Sequence, residues 1–163
     1  MPTREMTLQE LFVEELKDLF SSESQLIKAL PKMVKAAKSE ELKQAFQAHL
    51  GETENQLNRV KQVFELVSEK AKGALCKGMQ GIVAEGEEQI EKNTGDLGLI
   101  GAGERVEHYE IASYQGAISM ARQLGLSKAE KLLTESLQEE ENAAKLLSQL
   151  SKPMLKELGG AAA

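Results

Sequence analysis

The stretch TLQELFVEELKDLFSSESQLIKALPKMV, residues 7–34, reads as a helix whose apolar face is interrupted by one carboxylate. Phe12, Leu16, Leu19, Leu26, Leu30 and Val34 recur in steps of three or four, and Glu23 takes a place on the same stripe. That spacing keeps one side of a 3.6-residue turn pointed inward, so the segment is an amphipathic helix built to pack against others. Thr7 and Glu10 form a capping box at its start, where hydroxyl and carboxylate take up orphan amide donors. Pro31 predicts a kink or local break, because proline removes one helix hydrogen bond.

The same reading extends along the chain. Ser39 is the expected N-cap of a second helix running to about residue 70 on Phe46, Leu50, Leu57, Val60, Phe64 and Val67, with His49, Glu52, Gln56 and Val63 as a neighbouring row. Glu40 and Glu41 suit the positive end of its dipole. A shorter helix over about 75–92, weakened by Gly78, Gly81 and Gly86, reads as a connector outside the main bundle. Asn93 to Asp96 reads as a turn followed by an N-cap. A third long helix spans about 97–124 and ends at Gly125 in the left-handed conformation. Ser127 and Glu130 give a second capping box, opening a fourth helix on Leu133, Leu137, Glu140, Ala144 and Leu147. Pro153 marks its end or a break, and the tail from about residue 157 reads as frayed. Two long-helix hairpins separated by a connection long enough to run back along them predict an all-α, ferritin-like antiparallel four-helix bundle. Its long crossover carries a short extra helix, and the chain forms one domain over 1–163.

Composition agrees with this class and narrows the function. The chain has 163 residues, no Trp, four Phe and two Tyr, and helix formers dominate it. A net charge of -6 argues against nucleic acid or an anionic membrane as an electrostatic partner. No apolar run is long enough to span a bilayer. Residues 1–10 lack the apolar core of a signal peptide, and Cys76 is alone, so a reducing cytoplasmic setting is expected. Cys76 itself reads as a small packed side chain ahead of a reactive thiol. Two histidines form no Ser/His/Asp or Cys/His grouping for hydrolysis, and no glycine-rich loop carries a phosphate-binding lysine.

The chemistry-bearing feature is acid in places meant for leucine. Glu23 and Glu140 both sit on apolar stripes, where a lone carboxylate takes up a proton unless cations or hydrogen bonds compensate. Glu52 falls on the inner edge of the second helix with His49 a turn before it, and Glu107 and Glu110 share a face of the third. Glu23 and Glu52 are 29 residues apart, and Glu110 and Glu140 are 30 apart, which hints at a duplicated hairpin. One glutamate from each of four helices is the layout of a dinuclear carboxylate centre, and such oxygen and nitrogen donors suit iron or manganese. The expected ligands are therefore Glu23, His49, Glu52, Glu107, Glu110 and Glu140. His108 points away from Glu107 and reads as a surface or supporting residue.

Ser22-Glu23-Ser24-Gln25, His49-Leu50-Gly51-Glu52-Thr53, Cys76-Lys77-Gly78-Met79, Glu107-His108-Tyr109-Glu110-Ile111-Ala112-Ser113-Tyr114 and Glu139-Glu140-Glu141 together resemble the YciF-type family of ferritin-like bacterial stress proteins. The resemblance covers nearly the whole chain. It implies a ferritin-like bundle, a homodimer and a role in stress responses. Rubrerythrin-like relatives hold a di-iron centre with Glu-x-x-His pairs on two helices. Here Asn55 follows Glu52 and Ala143 follows Glu140 at that spacing, so His49 is expected to serve from the preceding turn. Two functions follow as expectations. One is a metal-binding stress protein with a dinuclear iron or manganese site that oxidises Fe(II) or removes peroxide. The other is a metal-free structural or interaction protein acting as a helical oligomer.

Overall fold

The computed structural model describes residues 4–161, and all regular structure among them is helical. The helices are α1 (Leu8–Ala36), α2 (Glu40–Leu66), α3 (Lys77–Glu91), α4 (Gly95–Gln123) and α5 (Ser127–Ala161). Four of them form the bundle: α1 packs on α2 and α4, and α5 packs on the same two neighbours. Helices α2 and α4 run the same way, and the chain returns between them through α3, which lies against α1 and α4. This is the one-crossover ferritin-like plan.

Helix ends follow local chemistry. The Thr7–Glu10 capping box is formed, and the Ser39 hydroxyl accepts from the Leu42 amide at 3.2 Å. At the end of α4, Gly125 has φ +72° while its amide reaches Arg122 O and that of Leu126 reaches Ala121 O. This paired pattern is a Schellman motif. The same motif closes α2 early, at Leu66, with Ser68 in the left-handed position (φ 57°) and the Glu69 amide on Phe64 O. It also closes α3 with Asn93 (φ 51°). A non-glycine residue therefore ends α2 four residues before the predicted limit.

Several further expectations are corrected. Neither proline breaks its helix: α1 continues through Pro31 and α5 through Pro153. Both prolines are exposed, so water can take the carbonyl each one leaves free. The tail beyond residue 157 stays helical to Ala161, although it is exposed through Gly160. The Glu130 carboxylate is held by Arg122 Nε at 2.7 Å in place of the expected box with Ser127. Asp96 lies in the first turn of α4, and its carboxylate accepts from the backbone amides of Lys38 and Ser39 at 2.7 and 2.8 Å. It thus fastens the turn between α1 and α2 to the start of α4.

Residues 67–76 pass along α1 as an extended strap. The Ala74 amide donates to Lys17 O, the Cys76 amide to Ser21 Oγ, and Gln25 Nε2 to Cys76 O. Cys76 is buried and accepts the Met79 amide at the start of α3, with Tyr109 OH 3.1 Å from its sulfur. Burial pushes its thiol pKa up, which is the chemistry of a packed, unreactive cysteine. A Cβ on Gly78 would come within 2.6–2.8 Å of the Tyr109 ring, so that glycine, unfavourable in helix propensity, is what lets the ring lie against α3.

The core is divided. One apolar cluster joins Phe12, Leu16 and Leu19 to Val60, Phe64, Ile118 and Leu133. A second joins Leu26 and Leu30 to Leu42, Phe46, Ile100 and Leu147. Between them every bundle helix buries polar side chains: Ser22 and Glu23, then His49, Thr53 and Gln56, then Glu107 and Glu110, then Ser136 and Glu140.

Asp96→Ala should lower stability by about 1–2 kcal/mol, since two amides lose a charged acceptor on partly exposed backbone. Urea unfolding followed by circular dichroism measures this, and the helical signal of the folded state should be unchanged.

Candidate metal centre

Each bundle helix brings its polar residues to the middle layer by its own periodicity. In α1, Glu23 lies between Leu19 and Leu26 on the buried stripe; in α5, Glu140 lies between Leu133 and Leu147. Glu107 and Glu110 are three residues apart in α4 and share its inner face. In α2 the buried row is Phe46, His49, Thr53, Gln56, Val60 and Val63, whereas Leu50 and Leu57 are only half-buried. The row expected at the edge is thus the centre of the face.

Five of the six expected ligands converge. His49, Glu107 and Glu140 bring one donor atom each within 4.8 Å of one another, and so do Glu23, Glu110 and Glu140. Glu140 belongs to both groups. The sixth, Glu52, stands apart: its side chain is 39% exposed, and its Oε2 lies 3.0 Å from His49 Nδ1. Among the buried carboxylates, the α1–α2 hairpin therefore supplies one and the α4–α5 hairpin three. His108 is exposed and belongs to neither group.

Supporting contacts orient the set. Tyr114 OH donates to Glu23 Oε1, and Ser22 OH donates to Glu110 Oε1. The Thr53 hydroxyl turns back to His49 O at 2.8 Å. Arg59 holds both oxygens of Glu139 at 2.8 Å, and Gln56 Nε2 donates to the same carboxylate at 2.9 Å. This clamp ties α2 to α5 beside the layer. The sequence pattern assigns Ser22, Thr53, Ser136, Arg59 and Glu139 no role in the site. Small hydroxyl residues break no hydrophobic stripe, and the Arg59–Glu139 pairing spans 80 residues.

The electrostatics are severe. At an effective dielectric near 20, two charges about 4 Å apart repel by roughly 4 kcal/mol. Three such pairs among Glu23, Glu110 and Glu140 would rival the whole stability of a domain, about 5–15 kcal/mol. Without cations the group therefore holds protons. Burial, then repulsion from Glu110, drives the Glu23 pKa well above the ordinary carboxylate range. Burial, then Glu107, does the same to Glu140. Burial raises Glu110 to about 7, opposed by the neighbouring Glu23 carboxyl and by the hydrogen bond from the Ser22 hydroxyl. Burial alone would lower His49, but Glu107 and Glu52 outweigh it and lift the imidazole to about 10. Burial likewise works upward on Glu107, but the His49 cation overcomes it and holds that carboxyl below its usual value. His49 Nε2 lies 3.1 Å from Glu107 Oε2, close enough for an ion pair yet misaligned for a hydrogen bond.

Hydrogen bonding leaves the layer incomplete. Buried atoms without a partner include Glu23 Oε2, His49 Nε2, Gln56 Oε1, Glu107 Oε2, Glu110 Oε2 and both oxygens of Glu140. Native interiors pair nearly all such atoms. Those on the five converging side chains are the donors that a pair of cations needs, and four carboxylates balance the charge of two dications with His49 neutral. The residues fit a dinuclear metal pair.

Fold and layer together define a ferritin-like helical bundle with a carboxylate cluster across its interior. Residues 7–158 match the family described as "Domain of unknown function (DUF892)", and the chain belongs to that family. It is 47% identical to protein YciF of Escherichia coli (strain K12) over 139 residues, 82% of this chain and 84% of that one. The crystal structure of the E. coli stress protein YciF matches with a TM-score of 0.86 at 42% identity, covering 90% of this chain and 95% of that one. YcfI of Rhodopseudomonas palustris also matches with a TM-score of 0.86, at 33% identity over 91% of this chain and 98% of that one. The resemblance read from the motifs is thereby shown, as is the ferritin-like class.

Metal-free protein should lose stability as pH rises. Glu110 binds its proton more tightly folded than unfolded, so its contribution is complete below the ordinary glutamate value near 4.5 and disappears as pH passes about 7. Glu23 and Glu140 act in the same sense at higher pH, and His49 adds a loss between 6.5 and about 10. In chelator, the melting temperature should fall from pH 5.5 to 8.5, with a shallower slope in Glu110→Gln.

Proposed function

We propose that the chain is a metal-binding stress-response protein of the bacterial cytoplasm, holding a pair of iron or manganese ions in the carboxylate layer. The observation that carries this is the convergence of buried, unpartnered donor atoms into two groups that share Glu140. Glu23 and Glu110 would serve one position, His49 and Glu107 the other, and Glu140 both. The stress role follows the relative that bears that description. The homodimer expected from the family resemblance belongs to the same reading.

The chain's own residues do the rest. Tyr114 and Ser22 each occupy one carboxylate oxygen and leave the second turned inward. Glu52 fixes the ring of His49 through Nδ1, which directs Nε2 to the interior. The two apolar clusters exclude water from both ends of the layer. Bound iron or manganese would supply the redox chemistry, oxidation of Fe(II) or removal of peroxide.

A metal-free network is the competing reading, favoured by the Tyr114–Glu23 and Ser22–Glu110 hydrogen bonds already present. The two separate on one substitution. A structural network makes Glu140→Leu neutral or stabilising in every buffer, because buried polar clusters are often less stable than packed hydrophobes.

Calorimetric titration of chelator-stripped protein with Mn(II), and with Fe(II) without oxygen, should give two ions per chain and release protons in proportion. At 100 times the dissociation constant each ion should stabilise the fold by about 2.7 kcal/mol. Glu140→Ala should abolish that gain at both positions. No binding and no change in melting at millimolar Mn(II) or Fe(II) would remove the reading.

A further inference from the structure

The five converging side chains are at most 4% exposed, so any ion bound there crosses a wall of protein. We propose that the cleft between α2 and α5 is the route by which hydrated divalent cations reach the layer, with Glu52 receiving them at its mouth. This rests on the metal-binding reading and adds to it a path and a substrate class.

The cleft has a volume of about 100 Å³. One water needs roughly 10–15 Å³ of such space, so the cleft holds several, enough for a cation that keeps part of its hydration shell. Ala45, Ala48 and Ala143 contribute to its walls, and their short side chains keep it open. Two deeply buried groups line it as well: His49 and Glu107, whose Nε2 and Oε2 lie 3.1 Å apart with neither in a hydrogen bond. Glu52 completes it from outside. Its carboxylate is in contact with water and with His49 Nδ1, while the other edge of the same ring lies 3.1 Å from Glu107. An ion that exchanges water for Glu52 at the mouth has its next donors one imidazole further in. Exchange of ligands one at a time avoids the cost of stripping an ion bare.

A second cleft also reaches Glu107, from between α1, α3 and α4, but it is narrower and more apolar. It measures about 30 Å³, and Leu30, Met33, Ile82, Val83 and Ile90 dominate its walls. The outer carboxylate of that cleft, Glu87, is already paired with Lys32 Nζ at 2.6 Å, and apolar walls separate it from Glu107, so polarity favours the α2–α5 side.

Stopped-flow mixing of chelator-stripped protein with Co(II), read by the visible absorption of the bound ion, tests the route. Ala143→Leu should slow uptake about tenfold or more and leave the final Co(II) content at the wild-type value, and Glu52→Gln should slow uptake by a similar factor. Gly86→Ala adds a methyl group to the apolar cleft, 3.7 Å from Ala102 Cβ, and should load at the wild-type rate. Circular dichroism confirms that each variant is folded, and the surface position of Glu52 keeps one variant free of packing changes. Wild-type rates in both Glu52→Gln and Ala143→Leu would overturn the route. So would a reduced final content in Ala143→Leu, which makes the defect one of binding and not of access. A wild-type protein that takes up no Co(II) would instead remove the metal-binding reading itself, and the route with it.

Discussion

Four carboxyl groups buried in one layer of a helical bundle set the terms for the rest of this molecule. Glu23, Glu107, Glu110 and Glu140 are each at most 2% exposed, and their mutual repulsion when ionised is comparable to the stability of a whole domain. Either protons or metal ions must neutralise them. Without cations, His49 carries a proton against Glu107 while Glu23 and Glu140 hold theirs far above the usual range. Such a layer costs the fold stability that leucines would have supplied, and the two apolar clusters flanking it offset that cost.

The architecture around the layer consists largely of devices that keep four helices in register. Asp96 ties the α1–α2 turn to α4 at one end, and the Arg59–Glu139 clamp ties α2 to α5 beside the cluster. The strap through residues 67–76 is bonded to α1 and places α3 over the groove between α1 and α4. The groove between α2 and α5, on the side away from α3, is where Glu52 meets solvent. Covering one side and leaving small residues on the other gives the layer a dry face and a wet one.

Much of this was legible in the chain, for reasons that differ by helix. Glu23 and Glu140 interrupt otherwise apolar stripes, so periodicity alone exposes them. In α2 the buried centre is His49, Thr53 and Gln56, a row with no hydrophobe for three positions, and the apolar pattern therefore pointed to Leu50 and Leu57 on the flank. Glu52 precedes Thr53 by one residue and so lies about 100° around the helix, which carries it out to the rim. Ser68 and Asn93 adopt left-handed turns usually signalled by glycine, so the end of α2 was hidden. Asp96 read as a cap for its own helix because only the tertiary fold brings the Lys38 and Ser39 amides to it.

The shared position of Glu140 is the centre of the functional account, since it alone joins both groups of donors. Anomalous diffraction from crystals grown with Mn(II), recorded on both sides of the iron edge to exclude adventitious iron, tests it most directly. Two peaks should flank Glu140, one against His49 and Glu107 and the other against Glu23 and Glu110. A layer without anomalous density, with its carboxylates still facing one another, would contradict the account and leave a polar seam held together by shared protons.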